Sequence, residues 1–159
     1  MAIDVKIPWG EKYTIHHVVF DLNGTLANNG EISENTERLL KKLAEKVNIY
    51  ILTADTHNTA EDLKEKIGGF SEIIVLKSDE HDGEKAGFVR SLGYRETVTL
   101  GNGGNDLKMV KEGILSFGVM GEEGMYAPLF GAVDIVVHSI DSALGMLLNP
   151  QKIVATIRK

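Results

Sequence analysis

The chain has 159 residues, no cysteine and a formal net charge of −6. That length suits one domain over residues 1–159, able to bury ~70% of its unfolded surface without staples. The composition excludes disulfides, thiolate metal sites and cysteine nucleophiles, argues against a nucleic-acid partner, and contains no apolar run near the ~18 residues of a membrane span.

Residues 1–6 lack the basic-then-apolar pattern of a secretion signal, so a cytoplasmic location is expected, with no membrane partner. Ile3, Val5 and Ile7 alternate with Asp4 and Lys6, which predicts a short half-exposed strand. Pro8-Trp9-Gly10 turns the chain, and residues 13–20 should return beside that strand as the central one. His16 and His17 then point to opposite faces, which reads them as structural rather than as a chelating pair. Val18-Val19-Phe20 runs into Asp21, and Asn23-Gly24 follows at once. A buried strand that delivers one carboxylate to the carboxyl edge of an open α/β sheet points to a metal ligand or a nucleophile.

Beyond a polar loop at 27–30, Ser33 is a plausible N-cap for a helix that runs through Lys46 on the spacing of Leu39, Leu40 and Leu43. A second buried strand is predicted over 47–54. Thr56 or Asn58 should cap a helix that ends at Gly68-Gly69. Strands follow over 73–76, 97–100, 115–120 and 135–137. Helices are predicted over 82–92 and 106–112, from Ser139 or Asp141 to Leu148, and from Pro150 to Arg158. Strands alternating with helices predict a mainly parallel sheet covered on both faces.

Asp21-Leu22-Asn23-Gly24-Thr25-Leu26 resembles the first motif of the haloacid dehalogenase (HAD) superfamily, Asp-x-Asp-Gly-Thr-Leu. The P-type ATPases of that superfamily carry Asp-Lys-Thr-Gly-Thr-Leu instead. The resemblance implies a three-layer Rossmann-like α/β core in which Asp21 is the nucleophile that becomes an aspartyl phosphate. Asn23 stands where most phosphatases of the family carry an acid/base Asp. Ile49 to Asp55 resembles the second motif, and Thr53 with Ala54 would donate hydrogen bonds to a phosphoryl group. The opening of the helix before Leu92-Gly93 resembles the third motif, with Lys85 as the lysine that reaches the aspartyl phosphate. Gly101-Asn102-Gly103-Gly104-Asn105-Asp106 lacks dinucleotide-loop spacing and resembles the fourth motif, Gly-Asp-Gly-x-Asn-Asp. Asn102 replaces its first Asp, and Asp106 matches its last. The implied Mg²⁺ ligands are Asp21, Asn23, Asn102 and Asp106, with Asp21 and Asp106 supplying the two carboxylates.

Taken singly, Thr53 reads as a threonine that finishes a strand and Lys85 as a solvated helical lysine. The order of all four motifs carries the resemblance, which lies closest to the soluble P-type-ATPase-like phosphatases. Asn23 cannot exchange a proton, and general acid/base help is worth ~10²–10⁴-fold. The implied activity is therefore a slow Mg²⁺-dependent phosphohydrolase or phosphotransferase. The alternative is a catalytically weak protein that binds phosphate, Mg²⁺ or a partner. The intervals from Asp21 to Thr53 and from Thr53 to Lys85 leave no room for a cap domain. An open site implies that the phosphorylated substrate (a small molecule or a phosphoprotein) or a second subunit excludes water, with 27–32 as a local flap. Residues 121–130 read either as core packing or as a contact surface, and Glu122-Glu123 as a solvated turn. His57 and His81 fall near the site end of the sheet and read as solvated loop histidines rather than as residues that shape substrate choice, and His138, before a helix, reads as without a chemical role.

Overall fold

The computed structural model describes residues 1–54 and 59–159. Strands β1 (Ile3–Lys6) and β2 (Lys12–Ile15) pair antiparallel and stand apart from the main sheet. Ile3, Val5 and Ile15 bury their side chains, while Trp9 at the hairpin tip is 100% exposed. The strand expected over 13–20 is broken at His16. Its N–H donates to the Glu96 carbonyl at 2.9 Å and its carbonyl accepts from Asn48 N at 2.9 Å. These two bonds turn the chain from the hairpin into β3 (His17–Asp21), so β1 does not lie beside the central strand.

The main sheet holds β3 with β4 (Asn48–Thr53), β5 (Glu72–Val75), β6 (Thr97–Gly101), β7 (Leu115–Val119) and β8 (Ile135–Val137), in the order β5-β4-β3-β6-β7-β8. All five pairings are parallel. The α-helices are α1 (Glu34–Ala44), α2 (Ala60–Ile67), α3 (His81–Leu92), α4 (Leu107–Val110), α5 (Ile140–Leu148) and α6 (Pro150–Ile157). Period-two alternation sorts the strand residues between two layers. Val18 and Phe20 join one buried cluster with Leu40, Leu43, Leu144 and Ile153, while Val19 joins the other with Val89, Met109 and Val110. Both faces of β3 are thus covered, which accounts for its unbroken apolar run.

Local chemistry sets the element ends. Ser33 Oγ accepts from Thr36 N at 3.1 Å and caps α1, and Ser139 Oγ accepts from Ser142 N at 3.2 Å and caps α5. Asp141 then accepts from Asn35 Nδ2 at 2.8 Å and from Thr36 Oγ1, joining the starts of α1 and α5. The expected capping residues Thr56 and Asn58, like His57 and Asp55, lie outside the described residues. The helix expected over 106–112 starts late, after a tight turn at Gly104–Asp106. The Asp106 side chain folds back onto the Asn102 and Gly103 amides and holds that turn. Among the described residues no further domain is inserted between β3 and α3, and no helix is long and apolar enough to cross a membrane.

Connections from β3 run outward through β4 and β5, and the chain then returns to place β6 on the other side of β3. The order in which the chain adds strands reverses between β3 and β6, the place where open α/β sheets form a crevice at their carboxyl ends. Asp21 and Gly101 end those two strands.

Thr99, in the middle of β6, is fully buried and its hydroxyl has no hydrogen-bond partner among the described residues. An unmet buried hydroxyl costs about 1–3 kcal/mol. Thr99→Val keeps the shape and removes that group, so urea unfolding should show the variant more stable by about 1 kcal/mol. A variant less stable than the parent would mean that the hydroxyl is satisfied in solution.

Candidate active site

The turn after β3 is tightly wound. Gly24 N donates to Ala27 O at 2.9 Å, and the Leu26 and Ala27 amides donate to Leu22 O at 3.0 and 2.8 Å. This winding needs φ +79° at Gly24, a region costly for any residue with a Cβ. Thr25 is drawn under the turn and buried, and its Oγ1 lies 3.0 Å from both Asp21 Oδ2 and Asn102 Oδ1. The first and fourth motifs meet through this threonine.

Lys85, the fifth residue of α3, is 2% exposed. Its Nζ donates to Asp21 Oδ1 at 2.7 Å, to Asp106 Oδ1 at 2.9 Å and to Asn105 Oδ1 at 3.2 Å. Glu84 anchors the helix start by accepting from the backbone N–H groups of Lys77 and Ser78 at 2.8–3.0 Å. Asp106 is wholly buried, and its Oδ2 accepts from the Asn102 and Gly103 amides at 3.0 Å each. Gly101 makes the room: a Cβ there would fall 2.6 Å from the Asp106 Cβ. With Oδ1 on Lys85 and Oδ2 on two amides, Asp106 holds the ammonium in place beside Asp21.

The electrostatics follow from burial. Burial first, and the neighbouring Asp106 charge second, push the Asp21 carboxyl up from 3.8 to about 7, against the pull of Lys85. Burial also works against the Lys85 ammonium, but Asp21 and Asp106 together hold it above the ordinary lysine range. Removing one partner from a buried ionic cluster costs about 3–5 kcal/mol, because the remaining charge is left uncompensated.

A cavity of about 380 Å³ opens over this group. Asp21, Asn23, Thr53, Ala54, Lys85 and Asn102 line it, so these sequence-predicted residues come together, with Asp106 directly beneath. His81 also reaches the wall, whereas His138 lines a separate cavity of about 460 Å³ on the far side of Thr25. Three site residues escaped the sequence reading: Thr25, Asn105 and Glu123. The first two lie inside motifs already singled out, so their positions were signalled and only their contacts were not. Glu123 carries no such signal.

Among the described residues, no three His, Cys, Asp or Glu side chains gather into a ready-made cage. The oxygen donors of Asp21 and Asn102 nevertheless suit Mg²⁺, which keeps several waters and takes one or two carboxylates.

No family model matches the chain. It is 38% identical over 64 residues to the uncharacterized protein MJ0073 of Methanocaldococcus jannaschii, a match spanning 40% of this chain and 69% of that protein. It is 49% identical over 39 residues to the uncharacterized protein MJ0072 of the same organism, 24% of this chain and 89% of that one. Among solved structures it resembles the cobalt-bound deoxy-D-mannose-octulosonate 8-phosphate phosphatase of Haemophilus influenzae, with a TM-score of 0.70, 15% identity, and coverage of 91% of this chain and 94% of that one. It also resembles the 3-deoxy-D-manno-octulosonate 8-phosphate phosphatase of Moraxella catarrhalis bound to magnesium, phosphate and KDO, with a TM-score of 0.70, 16% identity, and coverage of 89% and 90%. A haloacid dehalogenase-like hydrolase of Streptococcus pneumoniae aligns with a TM-score of 0.61, 14% identity, and coverage of 82% and 97%. The chain therefore has the HAD fold.

Because the folded-state value for Asp21 lies above the ordinary one, its ionisation in the native state costs stability. That cost is absent below about pH 4 and grows as pH rises toward about 7. The metal-free parent should lose stability over that window relative to Asp21→Asn, whose residue 21 does not titrate. Urea titrations of both proteins at several pH values would check this, and parallel pH profiles would refute it.

Proposed function

We propose that this chain, which belongs to the same sequence family as the two Methanocaldococcus proteins and has the HAD fold, is a Mg²⁺-dependent phosphohydrolase that works through an aspartyl phosphate on Asp21. The observation that carries this reading is the buried Lys85 ammonium, held against Asp21 by Asp106 at the floor of an open cavity. A carboxylate aimed out of the sheet, with a cation fixed beside it, suits attack on a phosphoryl group whose charge must be offset.

In the first step an Asp21 oxygen forms a bond to phosphorus, and the bond to the leaving oxygen breaks with its electron pair. Thr53, at the end of β4, and the Ala54 backbone face the same cavity and provide donors to the phosphoryl oxygens. Lys85 offsets the charge that builds there. Asp106 acts as a positioning residue, since all its contacts hold Lys85 and the 102–103 amides. Asp21, Asn102 and Asn23 would hold Mg²⁺, which when bound supplies further positive charge against the phosphoryl oxygens. Water then attacks the aspartyl phosphate, releases phosphate and restores the Asp21 carboxylate.

Asn23 has no proton to give the leaving group. Turnover of ordinary phosphoesters should therefore be slow, while a leaving group that is stable as an anion, as in an acyl phosphate, needs no such help. The two octulosonate 8-phosphate phosphatases act on a phosphorylated sugar acid, which makes a small phosphorylated metabolite the leading substrate class. The alternative, a binding protein with little turnover, draws on the same two asparagines.

The test is Mg²⁺-dependent phosphate release from acetyl phosphate and from a panel of sugar phosphates. Parent activity should be lost on chelation and in Asp21→Asn, and the Asp21 peptide should carry phosphate after rapid acid quench. Asn23→Asp should raise turnover of the phosphoesters by up to ~10²–10⁴-fold. No release by the parent or by Asn23→Asp, and no phosphate on Asp21, would leave the binding reading in place.

A further inference from the structure

Glu123 is exposed, in the turn that follows β7, yet its carboxylate reaches the site. A Cβ placed on Gly24 would collide with Glu123 Oε2 and would lie 2.5 Å from Asn102 Nδ2. One carboxylate and one amide, from separate loops, thus converge over a single bare backbone position. Glu123 also lines the same cavity as Asp21, Asn23 and Asn102.

The turn that carries it is shaped for this approach. Gly124 N donates to Gly121 O at 2.9 Å, and Gly124 takes φ +76°. A Cβ on Gly121 would sit 3.4 Å from the Gly24 carbonyl oxygen, so the turn lies directly against the first motif. Just beyond it, Tyr126 N donates to Asn102 O at 2.8 Å and ties the segment to the fourth motif.

Charge gives the arrangement its meaning. Lys85 neutralises one of the two buried carboxylates, and Asp106, wholly buried against Lys85 and two backbone amides, does not line the cavity. Asn23 and Asn102 add no charge. Among the described residues, Asp21 and Glu123 are the carboxylates that line the cavity, so without Glu123 a dication there would face Asp21 alone.

We propose that Glu123 is the second carboxylate of the cation site, supplying from the 121–124 turn the negative charge that Asn23 and Asn102 lack. This rests on the Mg²⁺ reading above. Asp21 and Glu123 together satisfy the demand of Mg²⁺ for one or two carboxylates.

Calorimetric titration of the purified chain with MgCl₂, with Mg²⁺-induced thermal stabilisation measured alongside, tests this without any substrate. Glu123→Gln should weaken Mg²⁺ binding by about tenfold or more. Glu123→Asp, which keeps the charge and shortens the reach, should fall between that variant and the parent. Adding Asn102→Asp to Glu123→Gln should restore tight binding. Glu122→Gln, whose side chain lines the other cavity, should bind as the parent does. The proposal fails if Glu123→Gln binds Mg²⁺ as tightly as the parent, or if Glu122→Gln is weakened equally, which would mark a diffuse charge effect; either result leaves the phosphatase reading standing. A parent that binds no Mg²⁺ at all would overturn the cation site and this proposal together.

Discussion

A lysine ammonium sealed between two carboxylates governs this site. Lys85 Nζ stands 2.7 Å from Asp21 and 2.9 Å from Asp106, with almost no exposure on any of the three. Such a group is tolerable only when each polar atom is answered, because desolvating an ion costs several kcal/mol. The answers come from every side: Thr25 on Asp21, two backbone amides on Asp106, and Asn105 as a third acceptor for the lysine. The ionic cluster therefore dictates the winding of the turn after β3, the late start of α4 and the absence of a side chain at Gly101. Its second effect is orientation. A carboxylate that has already paid its desolvation, with a cation locked beside it, needs little rearrangement when charge develops over it.

The sheet supplies the meeting point. β3 and β6 are neighbours on the sheet but lie far apart along the chain, with β4 and β5 and their helices between them. Their parallel register sets Phe20 opposite Leu100, so Asp21 and Gly101 emerge side by side at the carboxyl edge. α3, packed under β3 and β4 through Val89, carries Lys85 up from below. Four segments scattered over 85 residues of chain become one surface because parallel strands all end at the same edge.

Much of this was legible from residue patterns. The inner strands β3, β6 and β7 show as apolar or β-branched runs because both their faces are buried, and the helix caps at Ser33 and Ser139 show as single polar residues before a periodic stretch. The break at His16 was not legible, since its cause is a pair of backbone hydrogen bonds to Glu96 and Asn48 that no local pattern encodes. The four motif positions were legible by type and order. Their partners were not: no local pattern shows that Asp106 is wholly buried and bonded to Lys85 and to the Asn102 and Gly103 amides. Glu123 was the least legible residue of all. An exposed acidic pair in a glycine-rich turn looks like solvent-facing chain, and only the absence of a side chain at Gly24, about a hundred residues earlier, lets it reach the crevice.

Trp9 has a practical consequence for anyone following this molecule by optical methods. It is the chain's only tryptophan, and at the hairpin tip it is already fully in water. Its emission in the native protein should resemble that of free indole, so unfolding leaves the spectrum nearly unmoved. A flat fluorescence trace here would be silent about the core. Backbone circular dichroism, or the tyrosine signal of Tyr50 packed edge-on against Phe88 with ring centres 5.3 Å apart, would see the transition that tryptophan misses.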